Sequence, residues 1–310
     1  MPDVNLVMTL GGLIAGVVVG LTGLGGAAIV TPMLMLVFGV PSATAVSTDV
    51  VTAAITKPVG SIVHLRRRTP YLPVVGWLTL GSVPGVLVGT WFFARIAGDS
   101  HGNDTLRRLV GITLVVAVVV SLSRGAIGRR AAAVEATDTL PASAGRNLLT
   151  GLIGLVVGLI VGVTSVGSGT LIAASLLLIY PMMRASRLVG TDLVQAVPML
   201  AAGAIAHAGI GGVDLGIVIS LLLGQIPGVW LGARISSRYD GQELRWLLLA
   251  IVGSSAIALL GAPAWLATTV SIVSIASLGS LVLVRALRHR RHPAGTSADS
   301  PGQASAGRRH

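Results

Sequence analysis

Apolar residues fill the chain in long continuous blocks, separated by short polar or glycine-rich interruptions. The blocks cover residues 6–20, 27–38, 43–63, 74–94 and 109–122, then 148–162, 170–180, 188–207, 213–233, 244–260 and 264–287. Most approach the roughly 20 residues that an α-helix needs to cross a ~30 Å hydrocarbon core. None alternates apolar with polar positions, which excludes a membrane β-barrel. The pattern predicts an all-α polytopic membrane protein. Residues 39–42 read as a turn with Ser42 as the N-cap of the following helix, and residues 98–104 as a polar turn. The stretch 124–146 reads as a solvent-exposed loop, and the tail from 288 as disordered.

The blocks repeat. Thr48-Asp49 matches Thr191-Asp192, His64 matches His207, and Gly81-Ser82-Val83-Pro84-Gly85-Val86 matches Gly224-Gln225-Ile226-Pro227-Gly228-Val229, all at one offset of 143 residues (49 to 192, 64 to 207). Low-complexity apolar sequence does not hold register through an Asp, a His and a Pro-Gly pair. Residues 1–123 therefore read as a first membrane repeat, 124–146 as a polar linker and 147–261 as a second repeat. An extra membrane helix (262–287) and a basic tail (288–310) follow. Arg66, Arg67 and Arg68 face an uncharged stretch at 209–211 in the other repeat, whereas Arg184 and Arg187 face the uncharged 41–44. Positive loops that swap places predict inverted repeats, with the C-terminal tail cytoplasmic. Arg95, Arg107 and Arg108 fit this topology less well.

Two glycine clusters interrupt the pattern at equivalent places. Gly20 to Pro32 reads GLTGLGGAAIVTP, and Gly162 to Ala174 reads GVTSVGSGTLIAA. Each precedes an apolar run shorter than a bilayer crossing, 27–37 and 170–179. If those runs are helical, their first N–H groups lack intrahelical partners and form an anion site. Thr22, Gly23, Gly25, Gly26, Thr164, Ser165, Gly167, Ser168 and Gly169 are the candidate substrate-binding residues. Tight glycine packing between membrane helices is the alternative reading of the same residues.

Composition changes little. Hydrophobic residues make up 53% and charged residues 11% of 310, with a mean hydropathy of +0.86. The net charge of +11 lies at block ends and in the tail (Arg285, Arg288, Arg290, Arg291), as membrane topology requires, so nucleic acid is not an expected partner. The chain has no cysteine, which excludes thiolate chemistry and cysteine-ligated metal. No metal site or cofactor is expected. The N-terminus lacks the basic start of a cleavable signal peptide, so the first block reads as a retained membrane segment.

The pattern G-x-x-G-x-G-G-x-x-x-x-P-x-L from Gly20 to Leu34, with Thr48-Asp49, His64 before its arginines, and the paired Pro84-Gly85 and Pro227-Gly228, resembles the sulfite exporter TauE/SafE family over roughly residues 10–260. The resemblance implies a bacterial cell-membrane transporter that exports sulfite, sulfonates or related small anions, coupled to an ion gradient. Ser165 and Ser168 depart from a plain glycine cluster and leave the substrate open.

An ionisable residue inside a membrane helix is costly and calls for a function. At 100° per residue, Asp49, Thr52, Thr56, Gly60 and His64 share one face, and so do Asp192, Gln195, Met199, Gly203 and His207. Asp49, Thr52, His64, Asp192, Gln195 and His207 are the candidate coupling residues. Inversion would bring Asp49 to His207 and Asp192 to His64. Lys57 has Leu200 as its counterpart and reads as snorkelling towards the Arg66 end. Two other functions fit the pattern, an intramembrane serine hydrolase using Ser168 and His207 and a passive anion channel. The oligomeric state is not legible.

Overall fold

The computed structural model describes residues 5–22, 26–131, 143–210, 212–236 and 241–262. These form ten α-helices and no strand among the described residues: α1 (Leu6–Thr22), α2 (Ala27–Leu36), α3 (Ser42–Arg66), α4 (Leu72–Ala97), α5 (Gly102–Ala131), α6 (Ala144–Thr164), α7 (Ser168–Ile179), α8 (Ala185–Ile210), α9 (Leu215–Ser236) and α10 (Gly241–Leu259). Each half supplies five. Helices α4, α5, α6, α8 and α9 contain segments long and apolar enough to cross a membrane. The additional helix expected over 262–287 lies outside the described residues from 263 on, as does the basic tail.

Two local expectations are corrected. Ser42 is not the N-cap of α3. Pro41 holds that position with an extended backbone, no side chain caps the helix, and Ser42 is its first residue. Proline suits the place, because its fixed φ favours extended geometry just before a helix starts. The loop expected from 124 is partly helical, since α5 continues to Ala131 and α6 begins at Ala144. Arginine and alanine are good helix formers, so a helix already nucleated by apolar packing propagates into this polar sequence.

The most extensive pairings run between halves, α1 along α9 and α4 along α6. Glycine explains how close they come. A Cβ on Gly81, Gly85 or Gly89 of α4 would lie 1.9, 2.3 and 2.3 Å from the carbonyl oxygens of Gly151, Leu155 and Leu159. On α6, Gly154, Gly158 and Gly162 meet the carbonyls of Leu78, Ser82 and Val86 at 2.4, 2.3 and 2.4 Å. Gly12 and Gly16 of α1 and Gly224 and Gly228 of α9 repeat the arrangement. Lipid offers no hydrophobic drive between helices, so such backbone contact supplies the association energy.

Helices α3 and α8 lie between these pairs and carry buried polar side chains, among them Ser47, Thr48, Asp49, Thr52 and Ser61 on one, Thr191, Asp192, Gln195 and His207 on the other. Large apolar side chains such as Leu80, Trp91 and Ile205 face outward instead. The polar stripes thus face protein. Lipid meets the apolar faces.

Candidate functional site

Helices α6 and α7 form a hairpin. Thr150 in the second turn of α6 and Tyr180, just after α7, share a 2.9 Å hydrogen bond through their hydroxyls, so α7 returns beside α6. The tip, Ser165 to Gly167, is buried: Ser165 is 1% exposed and Val166 is fully covered. Gly167 has φ +108°, a conformation that glycine alone adopts without strain. Ser165 also has a positive φ, +62°, which costs a non-glycine residue about 1 kcal/mol or more. Two contacts hold it there. Its N–H donates to Val161 O at 2.7 Å, and its Oγ donates to Asp49 Oδ2 at 2.9 Å.

Asp49 is 2% exposed and accepts a second hydrogen bond at Oδ2 from Thr31 Oγ1 of α2. One carboxylate therefore ties together α2, α3 and the hairpin tip. Directly after the tip comes the start of α7, where Ser168, Gly169 and Thr170 present N–H groups with no intrahelical acceptor. Lys57, two turns along α3 from Asp49, donates from Nζ to Ser168 Oγ at 3.2 Å. Instead of snorkelling towards Arg66, the ammonium turns to the start of α7. At this point a helix N-terminus worth roughly half a positive charge, a full cation and a hydroxyl converge. The arrangement suits a small oxyanion.

The other candidates fall in different places. Gly23 and Gly25 lie outside the described residues, as does the side chain of Thr22, the last residue of α1. Gly26 precedes α2 with a helical φ of −67°, so no glycine-specific backbone is needed there. Thr164 donates to Ile160 O at 2.7 Å and accepts from Val166 N–H at 3.3 Å, which shapes the hairpin tip. Thr52 donates to Thr48 O of its own helix at 2.8 Å. Across the interface Ser82 Oγ of α4 donates to Gln195 Oε1 at 3.2 Å, and Gln195 and Asp192 sit one turn apart on α8.

The expected contact between Asp49 and His207 is not formed. His207, fully buried, donates from Nε2 to Gly162 O at 2.9 Å, and its Nδ1 lies 3.0 Å from Ser47 Oγ. Phe93 packs on the ring, with centroids 4.6 Å apart. The helices do meet end to start, but two residues before the aspartate, which is about 200° away around α3. In the other half, a Cβ on Gly190 would lie 3.2 Å from His64 Nδ1, again two residues before the aspartate. That nitrogen is 2.8 Å from Thr69 Oγ1. Equivalent contacts recur elsewhere: Tyr71 N–H donates to Thr191 Oγ1 at 3.0 Å, and Asp214 N–H to Thr48 Oγ1 at 3.3 Å.

Sequence reasoning missed Thr31, Ser47 and Ser82 as partners. Thr31 carried a signal, being the one hydroxyl in the ten-residue apolar helix α2.

A buried polar centre at a helix break, enclosed by apolar helices, fits a membrane transporter. The chain belongs to the sulfite exporter TauE/SafE family, whose model matches residues 8–259. It is 35% identical over 250 residues to the probable membrane transporter protein YjnA of Bacillus subtilis (strain 168), covering 80% of this chain and 97% of that one. It is 27% identical over 252 residues to the probable membrane transporter protein YdhB of the same organism, covering 81% and 94%. No solved structure matches.

Proposed function

We propose that this integral membrane protein resides in a bacterial cell membrane and exports a small oxyanion such as sulfite or a sulfonate, coupled to an ion gradient. The anion binds at the start of α7. The observation that carries this reading is Lys57 Nζ on Ser168 Oγ at 3.2 Å, which adds a cation to unpaired N–H donors at a helix N-terminus inside the membrane. The two halves are inverted in the bilayer, with Arg66 to Arg68, Arg184 and the C-terminal tail on the cytoplasmic side. The substrate site lies where the hairpin tip meets α3.

Purified protein in liposomes loaded with sulfite, sulfate or methanesulfonate tests the reading. At least one of the three should leave protein-containing vesicles and stay in empty ones. Equal retention of all three in both would overturn it.

With its amine neutral, Lys57 beside Ser168 would have the geometry of a base beside a nucleophile, so a serine hydrolase would use this pair rather than Ser168–His207, since His207 is engaged with Ser47 and Gly162. The two readings separate on Ser168→Ala. A transporter loses one hydroxyl and keeps flux at reduced affinity, whereas a hydrolase loses all peptide cleavage.

A further inference from the structure

Resting on that reading, we infer that Asp49 is a proton site linked to the anion site through the Ser165 hydroxyl, so that binding of the anion draws a proton onto the Asp49 carboxylate. The linkage is geometric. Ser165 Oγ, at the hairpin tip three residues before Ser168, spends its hydroxyl proton on Asp49 Oδ2 at 2.9 Å. Asp49 is thus an internal oxyanion occupying a donor that lies next to the start of α7. An anion arriving there meets a second negative charge on the far side of Ser165, and it competes for the same hydroxyl. Like charges in one buried site disfavour the ionised form of the weaker acid. Adding one proton to the carboxylate removes the repulsion. The protonated carboxyl can still accept from Thr31 while Ser165 turns to the substrate.

A proton fits the site better than a metal cation. Asp49 and the hydroxyls of Thr31 and Ser165 offer four side-chain oxygens, with both hydroxyls turned to Oδ2 as donors, whereas a proton needs one oxygen and no coordination shell. The surroundings leave Asp49 as the responsive group. Neither α2 nor α7 carries a titratable side chain. Helix α8 brings Arg187, Asp192 and His207, and the imidazole of His207 is engaged with Ser47 and Gly162. Helix α5 brings Asp104, Arg107 and Arg108 near the start of α3, where Asn103 accepts the Ala43 N–H. Asp214 precedes α9, with Arg234 in its last turn. On α3 itself, Lys57 lies two turns on and His64 at the end.

The test is titration calorimetry of the purified full chain with sulfate and methanesulfonate, neither of which titrates near neutral pH. Running it in buffers of different ionisation enthalpy counts protons taken up per anion bound. The wild type should take up about one proton per anion. Asp49→Asn should bind the anion with no proton uptake, and Ser165→Ala should bind it with uptake reduced by at least half. Should Asp49→Asn fail to fold, Ser165→Ala and Thr31→Ala decide the matter. Binding by the wild type without proton uptake would overturn the inference, as would undiminished uptake in Asp49→Asn or Ser165→Ala. Absence of any anion binding by the wild type would instead overturn the anion-site reading on which it rests.

Discussion

Replacing Gly81 with alanine isolates the contact that holds the two halves together. The added Cβ would sit 1.9 Å from Gly151 O and 2.8 Å from Leu155 N, where side-chain carbons do not approach closer than about 3.0 Å. Both obstacles are backbone of α6, so no rotamer change relieves them. Helix α6 must retreat by about 1 Å, which loosens the neighbouring contacts at Gly85 and Gly154. Forced overpacking of this kind costs about 1–3 kcal/mol, and the rigid obstacle puts Gly81 at the upper end. Alanine also favours the helix by up to about 1 kcal/mol over glycine. That gain stands alone at Gly76 of the same helix, where a Cβ meets nothing within 4 Å. Gly81→Ala should therefore lose stability by roughly 1–2 kcal/mol net, and Gly76→Ala should hold or gain. Thermal unfolding in detergent, followed as loss of the monodisperse peak on size exclusion, reads the difference. If Gly81→Ala survives heating as well as Gly76→Ala, the backbone packing of α4 on α6 is not what binds the halves.

Further outcomes follow from the site. Lys57→Leu, which installs the residue found at the equivalent position 200, should lower anion affinity at least tenfold while preserving the fold; calorimetry with sulfate checks it. Gly169→Val should abolish flux by blocking approach to the α7 N–H groups, and Ser168→Ala should only weaken it. Gly26→Val tests the first-half glycine cluster by the same flux assay. A Cβ there meets Val19 Cγ2 at 3.5 Å, an ordinary contact, so its loss of flux should come without loss of monodispersity. His207→Ala leaves Gly162 O and Ser47 Oγ unsatisfied in a buried place and should cost roughly 2–4 kcal/mol, seen as a lower unfolding temperature. Single cysteines at 67 and 211, introduced into a chain with none, should label from opposite sides of sealed cells.

The helices were legible because membrane crossings need long apolar runs, and the short helices α2 and α7 because glycine clusters interrupt those runs. The buried polar stripes were legible from Asp49 and Asp192, since no lipid-facing position carries a carboxylate without a reason. Pairing was not. The 3.6-residue period placed Asp49 and His207 on facing helices, but which residues touch depends on a two-residue register that the hydrophobic pattern does not encode. Lys57 was misread for a similar reason: a long flexible side chain reaches either end of its helix, and only the position of α7 decides which. The end of α5 was misread because polar, arginine-rich sequence suits both an exposed helix and a loop.

The central claim is that an oxyanion binds at the start of α7. Selenate is a sulfate analogue whose selenium scatters anomalously, and crystals grown with it would locate the anion directly. One selenium peak is expected within hydrogen-bonding reach of the Ser168 and Gly169 N–H groups and of Lys57 Nζ, and it should be weakened or lost in Lys57→Leu. A selenium peak elsewhere in the polar interior, with the start of α7 empty, would contradict it.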